Sequence, residues 1–167
     1  MHCYHYSPGI RGALVRLLES ARESVVVEHC YISDPDIVDL LIRLTHRGVR
    51  LTLILPARPD FHHHANMNAV GRLLTGADGR FLNVLVYHKM LHAKIILVDH
   101  TRAFIGSANL MRSSLDDMGE VNVLISGKQR ATWKLRETLR QDILLSRSLS
   151  SPPPFLWVSR WLAWLGL

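Results

Sequence analysis

The stretch that decides the fold class is residues 24–56, which read SVVVEHCYISDPDIVDLLIRLTHRGVRLTLILP. It begins with a β-branched run that is typical of a buried strand. Ser33 and Asp34 then provide helix caps, Pro35 suits a first helical turn, and apolar residues follow at helical spacing. A second strand-like run ends at Pro56. The order strand, helix, strand within about 30 residues predicts a βαβ unit with parallel strands and a right-handed crossover.

The segments on either side of this unit extend the same alternation. Hydrophobic periodicity predicts a helix at 10–22, a short helix at 66–75, strands at 81–87, 92–98, 102–106 and 121–125, and a long basic amphipathic helix at 128–147. After the first helix, the order of elements is β-α-β-α-β-β-β-β-α. We therefore expect an α/β fold in which helices flank both faces of a mixed β-sheet.

The length and charge of the chain narrow its class. Its 167 residues suit one domain, and 20 Lys and Arg against 14 Asp and Glu give a net charge of +6. Residues 1–127 contain 13 basic and 12 acidic side chains, whereas residues 128–167 contain 7 and 2. The excess charge thus belongs to the C-terminal segment and is not a general nucleic-acid footprint. Two cysteines are too few for a disulfide framework, and we expect neither a secretory leader nor a spanning helix.

A second stretch carries the chemistry. His92 and Lys94 are two residues apart in a predicted strand, so their side chains should share one face, about 6–7 Å apart along the chain. This pair suits attack on a phosphodiester, because Lys94 can hold the non-bridging oxygens while His92 attacks phosphorus. The turn at 106–109 can aim a hydroxyl, an amide and backbone N–H groups at the same anion. Glu120 could hold the other ring nitrogen of His92. No metal or other cofactor is expected.

These residues resemble the signature of the phospholipase D superfamily, which is H-x-K-x4-D followed after six residues by G-S-x-N. The chain matches it with His92, Lys94, Asp99 and the run Gly106-Ser107-Ala108-Asn109. The resemblance implies a covalent phosphohistidine at His92 and phosphate contacts from Lys94, Ser107 and Asn109. The candidate catalytic residues are therefore His92, Lys94, Asp99 and Glu120. Asp99 falls on the opposite strand face from His92, which favours a structural or supporting role for it.

Over residues 8–147 the chain is similar to the second catalytic half of bacterial cardiolipin synthases, and residues 148–167 form a separate Pro/Trp-rich tail. The similarity implies transfer or hydrolysis of a phosphatidyl group from a glycerophospholipid. It departs from those enzymes at Ser113, where they have arginine, and at Met118, where they have asparagine. The two-step chemistry also needs two motifs, and this chain has one His-x-Lys. The partner is thus expected to be a second copy in a homodimer or a missing N-terminal half.

The tail and the basic helix before it predict where the protein works. Trp157, Trp161 and Trp164 lie at helical spacing, and together with the basic helix they favour an anionic membrane surface. We expect a peripheral protein on the cytoplasmic face of the cell membrane, the alternative being that the tail packs on its own domain or on a partner subunit.

Two other functions stay open. One is a metal-independent dimeric endonuclease of the same superfamily, which is less favoured because residues 1–127 are nearly neutral. The other is a catalytically incomplete half-domain. Among the remaining polar residues, His62–His64 are expected to form a solvated loop and not a metal cluster, because three adjacent rings cannot all face one ion. His29 and Cys30 border a buried strand and are expected to be packed.

Overall fold

The computed structural model describes residues 2–5, 9–57 and 63–149. Its strands are β1 (His2–His5), β2 (Ser24–His29), β3 (Arg50–Pro56), β4 (Leu82–Tyr87), β5 (Lys94–Val98), β6 (Arg102–Gly106), β7 (Val121–Ser126) and β8 (Ser146–Ser148). Its helices are α1 (Gly9–Glu19), α2 (Pro35–His46), α3 (His63–Gly76) and α4 (Arg130–Leu144), and residues Ser113–Asp117 form a π-helical turn. Asp34 caps α2 by accepting hydrogen bonds from the backbone amides of Asp36 and Ile37, as the sequence predicts.

The strands form one mixed sheet in the order β1-β7-β6-β5-β2-β3-β4-β8. Strands β2, β3 and β4 are parallel, and every other neighbouring pair is antiparallel. The parallel pairing of β2 with β3 across α2 confirms the predicted βαβ unit. Because β5 runs antiparallel to β2, the end of β2 and the start of β5 meet at the same edge of the sheet.

Helices cover both faces, which confirms the predicted α/β architecture. Alternate strand residues such as Val25, Val27 and Leu53 pack with the apolar faces of α1, α2 and α3 in one large core. On the other face, Leu97 and Leu139 belong to a smaller cluster beneath α4. A period of two therefore divides the buried side chains of the strands between two helical layers.

The two outermost strands are absent from the sequence prediction. Strand β1 pairs with β7, and β8 pairs with β4, so both complete the sheet at its edges. The helix predicted at 128–147 ends at Leu144, because Ser146–Ser148 leave it to bond to the open edge of β4. Strand β8 therefore includes the predicted boundary between the catalytic domain (8–147) and the tail (148–167). That boundary stays a prediction.

Candidate active site

Four strand ends meet at one edge of the sheet and position the predicted site. Strand β2 ends there, β5 begins with Lys94, β6 ends at Gly106 and β7 begins at Val121. His29 of β2 pairs directly with Lys94, and Gly106 pairs with Asn122. His92 lies just before β5 and is exposed, so its imidazole is open to a ligand while the start of the strand anchors its backbone.

The two residues of the His-x-Lys pair are in contact. The Nζ atom of Lys94 lies 3.3 Å from Nε2 of His92 and donates to the carbonyl oxygen of His92 at 3.3 Å. An ammonium group has hydrogens and no lone pair, so the ring nitrogen that accepts from it must present its own lone pair. That contact places the imidazole proton on Nδ1 and the ring's lone pair on Nε2. The predicted strand begins two residues too early, yet the predicted juxtaposition is present.

Cys30, which the sequence predicts to be packed beside a buried strand, also belongs to this cluster. Its side chain is 1% exposed, and its Sγ accepts a hydrogen bond from Nζ of Lys94 at 3.2 Å. The thiol in turn donates to Oδ1 of Asn109 at 3.1 Å. The thiol thereby connects Lys94 and Asn109, two of the three side chains that the signature assigns to phosphate binding. The position of Cys30 directly after a buried strand predicts that it is buried. Its contact with Lys94 depends on the pairing of β2 with β5, which the sequence does not specify.

Glu120 takes a different partner from the predicted one. Its Oε2 accepts a hydrogen bond from the Ser107 hydroxyl, and that hydroxyl also accepts from the backbone amide of Val121 at 3.0 Å. No hydrogen bond joins Glu120 to His92 in the described part of the chain, so the expectation that it holds the other ring nitrogen is wrong for this structure. The reason is that Glu120 precedes β7, whose first residue is held beside Ser107 by a backbone hydrogen bond of 3.0 Å. Glu120 positions the Ser107 hydroxyl.

Gly106 is required by the close approach of β6 to β7. A Cβ atom at this position would meet the carbonyl oxygen of Val121 and would lie 2.6 Å from the Cα of Asn122. The Asn122 side chain accepts from the amide of Ala108 at 3.3 Å. The glycine of the signature therefore lets the chain turn tightly against β7 and leads Ser107 and Asn109 to the site edge.

Asp99 lies at the other end of β5. It lies five positions after Lys94, which is about 16 Å along the strand at 3.3 Å per residue. Its carboxylate accepts from the backbone amides of Arg22, Glu23 and Ser24 and pairs with Arg102. Partial burial raises the pKa of Asp99, but these amides and the Arg102 charge outweigh it, so the net pKa is lowered. Asp99 is thus a structural residue that closes the turn after β5, and it does not join the catalytic cluster.

A cavity of about 680 Å³ lies at this distant edge, between the Asp99 turn and the start of α4. Asp99 alone among the predicted site residues lines it, together with residues such as His100, Lys128 and Trp133. The cluster around His92 lies at the opposite edge of the sheet.

The loop after β2 is tied to the loop that carries Asn109. Ile32 forms a parallel bridge with Leu110, and the amide of Ser33 donates to the Leu110 carbonyl at 2.9 Å. Asn66 of α3 pins the same loop, since its Nδ2 donates to the Cys30 carbonyl at 2.7 Å and its Oδ1 accepts from the Ile32 amide at 2.8 Å. The segment 31–34, whose place beside the cleft the sequence left open, therefore supports the site.

An ion cluster holds the far side of these loops. Arg11 of α1 donates to Asp34, at the start of α2, at 2.5 Å, and to Asp116, in the π-helical turn, at 2.6 Å. Burial raises the pKa of Asp34, but the hydrogen bond from Arg11 and the cap amides outweigh it, so the net pKa is lowered. Ser113, one of the two departures from the cardiolipin synthases, begins this turn, and Met118 follows it with 52% of its surface exposed.

His29 lies beside Lys94 and is 2% exposed. Burial, and then the positive charge of Lys94, lowers its pKa to about 3. His29 is therefore neutral at physiological pH and does not compete with Lys94 for an anion. Packing was the expected role of His29, and its burial confirms that expectation.

Several predicted features lie outside the described residues. These are the Trp157, Trp161 and Trp164 tail and the His62–His64 side chains, whose backbone is described only from His63 onwards, at the start of α3. Within the described ranges, no group of three His, Cys, Asp or Glu side chains is arranged to hold a metal ion. Across those same ranges, no helix combines the length and apolar character needed to cross a bilayer.

The sequence matches the family model of the cardiolipin synthase PLD-like domain over residues 14–143. The chain belongs to the phospholipase D superfamily. This phospholipase D domain is 29% identical over 145 residues to the major cardiolipin synthase ClsA of Bacillus subtilis, an alignment that covers 84% of the chain and 29% of that protein. The chain thus spans less than a third of the length of that relative.

Two solved structures share the fold of this phospholipase D domain. Nuc of Salmonella typhimurium, a phospholipase D family member, superposes with a TM-score of 0.75 at 20% identity, covering 90% of this chain and 99% of that one. Phosphatidylserine synthase of Haemophilus influenzae superposes with a TM-score of 0.75 at 15% identity, covering 97% of this chain and 44% of that one. The same domain therefore accounts for nearly a whole chain in one structure and for less than half in the other.

Proposed function

We propose that the protein is a phospholipase D-type phosphodiesterase that transfers or hydrolyses the phosphatidyl group of a glycerophospholipid. The observation that carries the proposal is the contact between Lys94 and Nε2 of His92, which aims a nucleophilic nitrogen and a cation at the same place. The membership of the chain in the cardiolipin synthase domain family supports a phospholipid as the substrate.

In the first step, Nε2 of His92 attacks the phosphorus atom and the bond to the leaving alcohol oxygen breaks. When the substrate binds, the Lys94 N–H that donates to Nε2 of His92 in the free protein donates instead to a non-bridging phosphate oxygen. The lone pair of Nε2 is then free to attack. The Nδ2 group of Asn109 supplies a further donor to the phosphate, and the Ser107 hydroxyl becomes one when its hydrogen turns from Glu120 to a phosphate oxygen. The product of this step is a phosphohistidine at His92, and the departing alkoxide requires a proton.

In the second step, an alcohol or water attacks the phosphohistidine, the P–N bond breaks and His92 is regenerated. A general acid must protonate the alkoxide that departs in the first step. A general base must remove the proton of the alcohol or water that attacks in the second step. One His-x-Lys pair cannot be nucleophile and general acid at once, so the site needs a second histidine. We infer a homodimer with one His92 from each copy, or a longer chain with a second motif. The coverage of nearly all of Nuc supports the first, and the 29% coverage of ClsA supports the second.

The proposed location is the cytoplasmic face of the cell membrane. Support within the described residues comes from α4, whose exposed side chains include Arg130, Lys134, Arg136 and Arg140. Such a helix is attracted to anionic headgroups. The exposed Trp133, on the same helix, has the amphipathic ring that favours a membrane interface.

The test uses the full chain in EDTA with phosphatidylglycerol labelled with ³²P. We expect turnover of the lipid, together with an acid-labile ³²P adduct on the protein. His92→Ala should abolish both, while the control His46→Ala, an exposed histidine at the end of α2, should keep both. Sedimentation should give the mass of a dimer if two copies of this chain supply the two histidines. Turnover by His92→Ala at the parental rate would refute the mechanism.

A parallel reaction with plasmid DNA separates the alternatives. Cleavage of DNA without lipid turnover would overturn the proposed substrate in favour of a nuclease. Inactivity on both substrates, with a monomeric mass, would favour a half-domain that lacks its second motif.

A further inference from the structure

Cys30 is a buried nucleophilic side chain that the mechanism above does not use. Its Sγ lies 3.2 Å from Nζ of Lys94 and 3.1 Å from Oδ1 of Asn109. Lys94 is itself 8% exposed, so its ammonium group has little water to replace a lost protein contact. The thiol therefore contacts two of the three side chains that are expected to bind the phosphate.

The polarity of the thiol determines how each neighbour is oriented. Sulfur accepts a hydrogen from Lys94, which leaves the ammonium group facing His92. The S–H hydrogen goes to Oδ1 of Asn109, and this fixes the amide so that its Nδ2 group is turned away from the thiol. In the described part of the chain no hydrogen bond occupies Nδ2, which leaves it available to a substrate oxygen.

The backbone of Cys30 is held independently of its side chain. Its amide donates to the Ala93 carbonyl at 3.1 Å, and its carbonyl accepts from Nδ2 of Asn66 at 2.7 Å. A change of the side chain therefore leaves the end of β2 in place. The effect of such a change reports on the thiol itself.

We propose that Cys30 is a positioning residue, which orients Lys94 towards His92 and Asn109 towards the substrate phosphate. The proposal rests on the proposed function for its effect on catalysis. A long lysine side chain has many rotamers, and a fixed acceptor limits them before the substrate arrives. Because interactions with the phosphate strengthen as charge develops in the transition state, misplaced donors should lower kcat more than they raise KM.

The experiment compares Cys30→Ala, Cys30→Ser and the parent. Alanine removes both hydrogen bonds, whereas serine keeps an acceptor and a donor. We expect Cys30→Ala to lose roughly tenfold to a hundredfold in kcat on phosphatidylglycerol, the range for a hydrogen bond to a charged group. Cys30→Ser should recover most of that loss. Val27→Ala, a fully buried change on β2, the strand that leads to Cys30, serves as the control and should destabilise the fold with kcat unchanged.

Crystal structures of the two Cys30 variants give a readout that does not depend on turnover. In the alanine variant we expect Nζ of Lys94 to leave hydrogen-bonding distance of Nε2 of His92, and in the serine variant to return to it. An unmoved Lys94 in the alanine variant, or equal kcat for Cys30→Ala and the parent, would overturn the proposal. If the parent itself turns over no lipid, the proposed function fails, and the structures still decide the positioning role.

Discussion

Replacing Glu28 by glutamine should make the fold more stable at alkaline pH. Glu28 is 3% exposed on the face of the sheet that α4 covers, and its Oε2 has no hydrogen-bond partner among the residues that the structure describes. Burial, followed by the charge of Asp142 on α4 and a hydrogen bond with that carboxyl, raises the pKa of Glu28 from 4.5 to about 7. The same charge contributes to a raised pKa for Tyr87, after the effect of burial.

The magnitude follows from this pKa. Between pH 4.5 and 7 the folded protein binds more protons at Glu28 than the unfolded chain does, so stability falls as pH rises through that window. The pKa rise from 4.5 to about 7 corresponds to about 3 kcal/mol in the free energy of unfolding. The parent loses this contribution of Glu28 as the pH rises, and all of it is lost by pH 8. Glutamine has nearly the same shape and carries no charge, so Glu28→Gln removes this loss. The variant should gain about 3 kcal/mol over the parent between pH 4.5 and pH 8.

The assay is urea unfolding of the full chain at pH 4.5 and at pH 8, with linear extrapolation of the free energy of unfolding. The control is Glu19→Gln, an exposed acid at the end of α1, whose difference from the parent should stay within about 0.5 kcal/mol at both pH values. His29 titrates in all three proteins, so its contribution cancels from the comparison. A stability difference between Glu28→Gln and the parent that is the same at both pH values would refute the reasoning.

Three further predictions concern the framework around the site. Asp99→Ala should lower the free energy of unfolding by about 2 kcal/mol, because three backbone amides and a guanidinium lose a charged acceptor; thermal unfolding measures it, and an unchanged midpoint would contradict the structural role. Leu139→Ala should cost about 2–5 kcal/mol in urea unfolding, while Leu144→Ala on the same helix, 69% exposed, should cost under about 0.5; similar costs would mean that α4 is packed differently. Asp34→Asn should keep the cap of α2 but lose the ion pair with Arg11, whereas Asp34→Ala should lose both. The alanine variant should therefore have a free energy of unfolding about 1 kcal/mol lower than the asparagine variant, and equal values by chemical unfolding would show that the cap contributes nothing.

The sequence patterns predicted the central strands because hydrophobic burial alone specifies them. The β-branched run at Val25–Val27 forms a buried strand, and the apolar residues that recur at helical spacing in α2 are buried against the core, as the sequence predicts. The edge strands His2–His5 and Ser146–Ser148 are short and polar. Their conformation comes from hydrogen bonds to β7 and β4, which no local pattern records.

The candidate site divides in the same way. Chain spacing was enough to pair His92 with Lys94 and to place Asp99 away from them, since residues two positions apart stay close in any tertiary context and β5 separates Lys94 from Asp99. The partners of Glu120 and Cys30 depended on which strands lie side by side. Only the pairing of β6 with β7 brings Glu120 to Ser107, and only the antiparallel pairing of β2 with β5 brings the Cys30 thiol to Lys94. Local covalent geometry sets the first kind of relation. Contacts between residues 13 positions apart, as for Glu120 with Ser107, or 64 apart, as for Cys30 with Lys94, exist only once the sheet has formed.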